Sequence, residues 1–294
     1  MAIPVNSVIY SLMLYERGVI ESDVMLAHHG PNSFMVISSI SQTNRDHNHL
    51  KRNIRPNKTI WLSDATSSYG VLSLAGPKAR DLSAGITELN LSGKAFPFNS
   101  LQRFNIGHAP VFAQQLSYTG EHGWEILITP DFAEYVFEVI MNTGLQFGLK
   151  LVGSEALNAL RIEKDFLHWG HDMSHTEVPQ QIGLNFTCKR GKSEGFYGKD
   201  AFIKRKAHGN GLFLCSIKLC ETEAVLHHNK PVLRNEKIID LITSGVFSQT
   251  QNSPIGLCFL SIKGGKTALT TSKYSVMVEG RQVPAPLSLK QFIA

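Results

Sequence analysis

Two distant stretches of the chain follow one plan. Tyr15-Glu-Arg-Gly leads, past a glycine-containing turn, into Asp23-Val-Met-Leu, and Tyr118-Thr-Gly-Glu leads in the same way into Glu125-Ile-Leu-Ile. In each, an acidic residue stands at the start of an apolar strand. Element order repeats around them. Ser7 to Met13, Val24 to His28 and Ser33 to Ser38 read as strands before a helix over Gln42 to Ile54, and strands near Arg103 to Gly107, Val111 to Ser117 and Trp124 to Ile128 precede a helix from Asp131. Such internal similarity predicts two related sheet-and-helix lobes.

In the second lobe Asp131, with Glu134 three residues on, has the spacing of a helix cap, Val136, Phe137, Val139 and Ile140 supply an apolar face, and Gly144 ends the helix. A further helix is expected with Ser154 as cap, Glu155 in its first turn and Ala156, Leu157, Leu160 and Val152 as its buried side. After Gly191 the texture changes. Leu212 to Lys218, Ile238 to Ser244, Ile255 to Ile262 and Ser275 to Gln282 are short β-rich runs parted by Gly, Asn and Pro, the pattern of an antiparallel barrel or sandwich. At 294 residues more than one core is expected. The divisions read as 1–63, 64–190 and 191–294.

Composition narrows the function classes. The net charge of +5 suits an anionic partner, yet the lysines and arginines are scattered apart from Lys204 to Lys206 and Lys189 to Lys192, which argues against nucleic acid and leaves an anionic small molecule. Four cysteines, Cys188, Cys215, Cys220 and Cys258, form no C-x-x-C pair, so free thiols are expected rather than a disulfide frame or a zinc site. The start lacks the features of a signal peptide, and no apolar run reaches membrane-spanning length. Cytoplasm or an organelle matrix is the expected place, without membrane attachment.

Known catalytic signatures fail one after another. His168, His171 and His175 with Asp172 have ligand chemistry, but the Trp169-Gly170 that divides them reads as a helix end running into a loop, and no metal is expected. Gly191-Lys192-Ser193 imitates the end of a phosphate loop, with Phe186 where a glycine is required. No G-x-G-x-x-G follows a strand, so neither a dinucleotide site nor an FAD site is expected in this chain, and no serine sits in a G-x-S-x-G turn. What remains is a set of polar groups, Asp23, Glu121 and Glu125 with Tyr10, Tyr118 and Arg161. A carboxylate at the head of an apolar strand either faces water or receives hydrogen bonds, because burying it unpaired costs several kcal/mol. A heterocycle with adjacent N–H and amino donors would satisfy it in bidentate fashion. An exposed strand-end residue is the other reading of Glu125.

At these residues the chain resembles the aminomethyltransferase family, the T-protein of the glycine cleavage system, and within it the folate-binding C-terminal half of dimethylglycine and sarcosine dehydrogenases. The runs that carry the resemblance are MLYERGVIESDV, LSLAGPKARDL, YTGEHGWEI, ALRIEKDFLHWGHDM, VPQQIGLNFTC and TSGVFSQTQNSPIGLCFL, in the family's order across nearly the whole chain. The resemblance implies an α+β fold, a T-protein-like cloverleaf of two related lobes, the first incomplete, and a C-terminal antiparallel β-barrel around a tetrahydrofolate site. It implies that Glu125 binds the pterin ring, that Asp23 sits by the reactive N5 and N10 of the folate as the catalytic group, and that Tyr10 lines the same hole. Tyr118 and Glu121 join the cofactor-binding set, Glu121 as a turn residue supporting the site. Arg161, in the LRIEK run, meets either a carboxylate of the protein or the anionic tail of folate; T-proteins carry an arginine four positions earlier, where this chain has Leu157.

Departures accompany the match. Tyr15 replaces an asparagine and Val19 a glycine in the family's MLNERGG, Gln181 replaces a glutamate, and the family's residues ahead of the point matching Pro4 have no counterpart here. The expected function is transfer of a one-carbon unit from a methylated-glycine-type donor to tetrahydrofolate, with a flavin-dependent dehydrogenase domain or subunit as partner. The alternative is a folate-binding or regulatory relative without the transfer chemistry. An RNA-modifying or iron–sulfur-assembly relative fits less well, since that branch's cysteine signature is missing.

Overall fold

A computed structural model of the chain describes residues 3–56, 58–207, 211–261, 272–289 and 292. Two compact units divide it, Met1–Ser11 with Asp23–Leu151, and Leu12–Ser22 with Val152–Ala294. Strands β1 (Ser7–Leu14) and β2 (Ile20–Gly30) contribute residues to both.

In the first unit β3 (Ser33–Ile37) completes a sheet ordered β1-β2-β3, and α1 (Thr43–Asn53) follows. A second sheet, ordered β4-β7-β6-β5, is antiparallel throughout and consists of β4 (Gly70–Ala75), β5 (Leu101–Ile106), β6 (Ala109–Gln114) and β7 (Gly123–Ile128). Alternation along these strands sends Leu74, Val111, Ala113, Trp124, Ile126 and Ile128 into one core with Phe96, with Leu82 of α2 (Ala79–Ala84) and with Val136 and Ile140 of α3 (Pro130–Gly144). A satellite core of Val8, Ala27 and Leu101 ties the two sheets, helped by the Leu101 N–H donating to the Asn6 carbonyl at 2.9 Å. Thus Asp23 and Glu125 belong to one packed unit.

The expected element order recurs, three strands and a helix in each lobe, but the two turn motifs do not fall on equivalent connections. Tyr15 to Gly18 joins β1 to β2, whereas Tyr118 to His122 joins β6 to β7, one strand later in its lobe. Asp23 is therefore four residues into β2 and not at its head. Helix starts also differ from expectation. Thr129 precedes α3, with Pro130 as its first residue, and Asp131 lies within the first turn without capping. The α-helix ends at Gly144 as expected, and a 3-10 turn, Leu145–Phe147, follows it, closed by Gly148 at φ 74°.

The second unit opens with α4 (Ser154–Glu163), capped at Gly153 rather than Ser154. Its expected apolar side is wrong in detail: Val152 and Leu157 are exposed, and the buried side is Arg161, Ile162 and Glu163. Burial of these charges is possible because hydroxyls more than eighty residues further along the chain supply partners. Arg161 donates through Nη2 to Ser244 Oγ at 2.7 Å, and Glu163 accepts from Ser248 Oγ at 2.5 Å and Thr250 Oγ1 at 3.0 Å. After α5 (Lys199–Ala207), which carries the Lys204 to Lys206 cluster, come β8 (Leu212–Lys218), β9 (Pro231–Arg234), β10 (Lys237–Ser248), β11 (Ser253–Ser261), β12 (Tyr274–Val278), β13 (Arg281–Pro284) and β14 (Leu287–Ser288).

These strands form one antiparallel sheet ordered β13-β12-β9-β10-β11-β8-β14. Long β10 pairs with β9 through Lys237–Leu241 and with β11 through Ile242–Ser248, so the sheet curls about it. Cys215, Ile217 and Leu260 from one half then share a core with Val232, Val276 and Val283 from the other. The run Ser275 to Gln282 is a hairpin and not one strand, because Glu279 and Gly280 both take left-handed φ, 50° and 78°, as a two-residue turn requires. Ile262, expected at the end of a strand, lies outside the described residues. Among the described residues no helix is long and apolar enough to cross a membrane.

Candidate functional site

Asp23 enters the site because β2 alternates around it. Ser22 and Val24 are buried, while Asp23 is half-buried and accepts a 3.1 Å hydrogen bond from the Tyr10 hydroxyl on neighbouring β1. Burial pushes the Asp23 carboxyl up from the usual aspartate range, the Tyr10 bond opposes this, and the buried Asp46 of α1 adds to the rise. Tyr10 is driven far above its ordinary value, first by burial and then by the Asp23 charge, so it stays a phenol and a donor. Tyr118, half-buried in the β6–β7 turn, is close enough to Tyr10 to add to that rise.

Glu125 is the third residue of β7, flanked in register by Ser73 on β4 and Gln114 on β6. It is half-buried, and its Oε2 accepts a 2.7 Å hydrogen bond from Gln114 Nε2. Burial raises its proton affinity and the Gln114 amide opposes the rise. The preceding turn is held from several sides. Ser117 Oγ and Thr119 Oγ1 are 2.8 Å apart, Gly120 takes φ 74°, and His122 Nε2 lies 3.1 Å from Arg80 Nη2. A guanidinium only donates, so His122 Nε2 accepts and the ring is neutral, its proton affinity lowered by burial and by Arg80. Glu121 is exposed, with its backbone N–H 3.4 Å from Thr119 Oγ1. Glu121 thus stands at the exposed turn while Glu125 is half-buried in the strand.

Arg161 belongs to the second unit and is 3% exposed. It meets a carboxylate of the protein, Asp172, through Nη1, which also donates to the Phe166 carbonyl at 3.0 Å, while Nε donates to Asn158 Oδ1 at 2.9 Å. Asp172 in turn accepts from Thr243 Oγ1 at 2.6 Å and from the His168 N–H at 3.0 Å. The histidine run thus surrounds an aspartate already engaged, and among the described residues no group of three or more His, Cys, Asp or Glu could hold a metal ion. Cys188, Cys215 and Cys258 are buried free thiols, with Cys215 pushed up to about 12 by burial and by Asp165.

Structure adds residues that sequence reasoning passed over: Gln114, Gln115, Arg80, His122 and Asp46. The available signal was Gln114-Gln115 closing the otherwise apolar run APVFAQQL, two amides where a strand should stay apolar.

Residues 1–192 match the GCVT N-terminal domain, and residues 213–293 match the glycine cleavage T-protein C-terminal barrel domain. Relatives include a 4-methylaminobutanoate oxidase (formaldehyde-forming) of Paenarthrobacter nicotinovorans, 29% identical over 98% of this chain, and the mitochondrial dimethylglycine dehydrogenase of Rattus norvegicus, 30% identical over 94%. The chain spans about a third of each, 34% and 32%. An aminomethyltransferase of Listeria monocytogenes serotype 4b (strain F2365) is 32% identical over 85% of this chain and 67% of its own length. The fold matches the crystal structure of the glycine cleavage system aminomethyltransferase T from Bartonella henselae with a TM-score of 0.81 at 21% identity, over 97% of this chain and 76% of that one. An α+β architecture ending in a curled antiparallel sheet, matched along nearly its whole length, leads to one assignment. The chain belongs to the glycine cleavage T-protein family.

Proposed function

We propose that this chain binds tetrahydrofolate and accepts onto it a one-carbon unit, at the formaldehyde level, from a methylated-glycine-type donor. The observation that carries this reading is Glu125, a half-buried carboxylate whose hydrogen bond comes from a neutral amide and not from a cation. Such a group keeps acceptor capacity for a ligand edge with adjacent N–H donors, as a pterin presents. Glu125 fits the edge of a donor-rich heterocycle. Bound tetrahydrofolate supplies the two nitrogens that take up the carbon.

Asp23 is the proposed catalytic group. Half-buried and with its proton affinity raised by burial, it is suited to receive a proton from a folate nitrogen. Tyr10 fixes it with one hydroxyl bond, Tyr118 lines the same wall, and Glu121 supports the turn. Arg161 contributes through the polar seam it builds in the second unit. Oxidation of the donor falls to a flavin-dependent dehydrogenase domain or subunit.

A second reading, folate binding without transfer, is favoured by Gln181. It stands where the family has a glutamate, and its neutral Oε1 accepts the Val178 N–H at 2.9 Å where a glutamate would bring a charge. One experiment addresses both. The purified protein is titrated with tetrahydrofolate and then assayed for folate-dependent turnover of dimethylglycine with a flavin dehydrogenase supplied. Saturable binding is expected, weakened roughly tenfold or more in Glu125→Gln, which loses a charge-assisted acceptor. Asp23→Asn should bind within a few-fold of wild type and lose turnover. Absence of saturable binding by the wild type sinks the folate reading, and binding without turnover supports the second.

A further inference from the structure

Gln114 enters the function proposed above only as the neighbour of Glu125, and its surroundings single it out for a role of its own. It is 0% exposed at the end of β6, its Cα is paired in register with that of Glu125, and its Nε2 lies 2.7 Å from Glu125 Oε2. A side-chain amide has a donor end and an acceptor end. With the donor end on Glu125, Oε1 is left buried and unpaired among the described residues. Turned round, the carbonyl would face the carboxylate oxygen, an arrangement tolerated only if Glu125 carried a proton. In both orientations one amide end stays unpaired, so the charge of Glu125 decides which orientation is held.

Facing Glu125 across the sheet are Ser73 from β4 and Gln114 from β6, neither of them charged. Gln114 is thus the group in direct bonding contact that favours the ionised carboxylate against its burial.

We propose that Gln114 is the positioning residue for Glu125: it commits Oε2, holds the side chain as an ionised acceptor, and leaves Oε1 and the second lone pair of Oε2 for the N–H donors of the ligand. The inference rests on the folate reading and adds a residue that acts through Glu125 without touching the ligand. It makes affinity depend on pH in a way that a merely structural glutamine would not. Wild-type affinity rises with pH as Glu125 ionises. Without the Gln114 donor, ionisation is harder and the rise comes later.

The test is calorimetric titration of the intact protein with 5-formyltetrahydrofolate, an air-stable reduced folate, from pH 5 to pH 8. Gln114→Met keeps the volume and removes the donor, and it should move the rise upward by about one pH unit, a loss of roughly tenfold in affinity on the acid limb with little change at the alkaline end. Since a buried position tolerates change poorly, Gln114→Glu provides a second arm. Its carboxyl can donate to Glu125 only while the pair shares a proton, so affinity should fall as pH rises, the reverse of wild type. An unmoved profile in Gln114→Met, or a wild-type direction in Gln114→Glu, overturns the proposal while leaving the folate reading intact. No binding by the wild type at any pH fails the folate reading itself.

Discussion

Asp165 has a left-handed backbone, φ 53°, and a carboxylate whose two oxygens each lie 2.8 Å from Ser216 Oγ. Burial, opposed by that hydroxyl and reinforced by Asp172, pushes it from 3.8 up to about 6. The sign follows from linkage. Below pH 3.8 both folded and unfolded chains hold the proton and nothing is lost; between 3.8 and 6 the folded chain binds more protons, so stability declines as pH rises, and above 6 the full cost persists. Asparagine accepts from Ser216 without charge and adopts left-handed φ readily. Asp165→Asn should therefore stabilise the protein by about 1–3 kcal/mol at pH 7.5 and by little at pH 4, read as a shift in urea midpoint. An equal shift at both pH values would defeat the electrostatic explanation. Residues of this kind are legible only in part. Asp23 and Glu125 stand out in the sequence as charges inside apolar runs, whereas Asp165 and Gln114 owe their roles to Ser216 and Glu125, neighbours that only folding brings together.

Among elements, β7 depends on a close approach at its first residue. A Cβ on Gly123 would lie 2.4 Å from the Leu74 carbonyl oxygen and 2.7 Å from Ala75 Cα, backbone atoms of β4 that cannot turn aside. Gly123→Ala must part β4 from β7, and a cost of about 2–4 kcal/mol is expected from such overpacking with backbone shift. Because Glu125 is two residues along the same strand, folate affinity should fall with it, whereas Gly153→Ala, which meets open space, should leave thermal stability within about 0.5 kcal/mol. Unchanged melting of Gly123→Ala would refute the packing argument. A strand with clean alternation, such as β6, was legible because Ala109, Val111 and Ala113 are buried while Pro110 and Phe112 between them are partly exposed. The four-residue β9, starting at proline, lacks the length to show a period. In α4 apolar periodicity pointed to the wrong side, since Arg161 and Glu163 are buried through partners on β10, more than eighty positions away, that no local pattern displays.

For the molecule as a whole, the second unit is assembled from distant parts of the chain. Its core around Leu14 and Ile20 is closed by Met173, Ile182 and Cys188 and by Phe202 of α5, which is 0% exposed. The β1–β2 turn is fastened to the same region, with Arg205 Nε donating to the Arg17 carbonyl at 2.9 Å and Gly198 so near the Tyr15 carbonyl that a Cβ would come within 2.2 Å. A cut between residues 190 and 191, where the sequence changes texture, would leave Leu14, Ile20 and Cys188 on one piece and Phe202 on the other. Losing a buried phenylalanine alone costs about 3–5 kcal/mol, comparable to much of a domain's stability, so the piece 1–190 should not keep this core closed. Cysteines report the result directly. In the intact chain Cys220 is exposed and Cys188, Cys215 and Cys258 are buried, so one thiol should react quickly with a chromogenic aromatic disulfide. In the piece 1–190 Cys188 is the only cysteine, and it should change from slow to fast. Adding the piece 191–294 should restore its protection if Phe202 re-enters the core. Continued protection of Cys188 in 1–190 alone would show that this core closes without α5 and that the first 190 residues fold as an independent body.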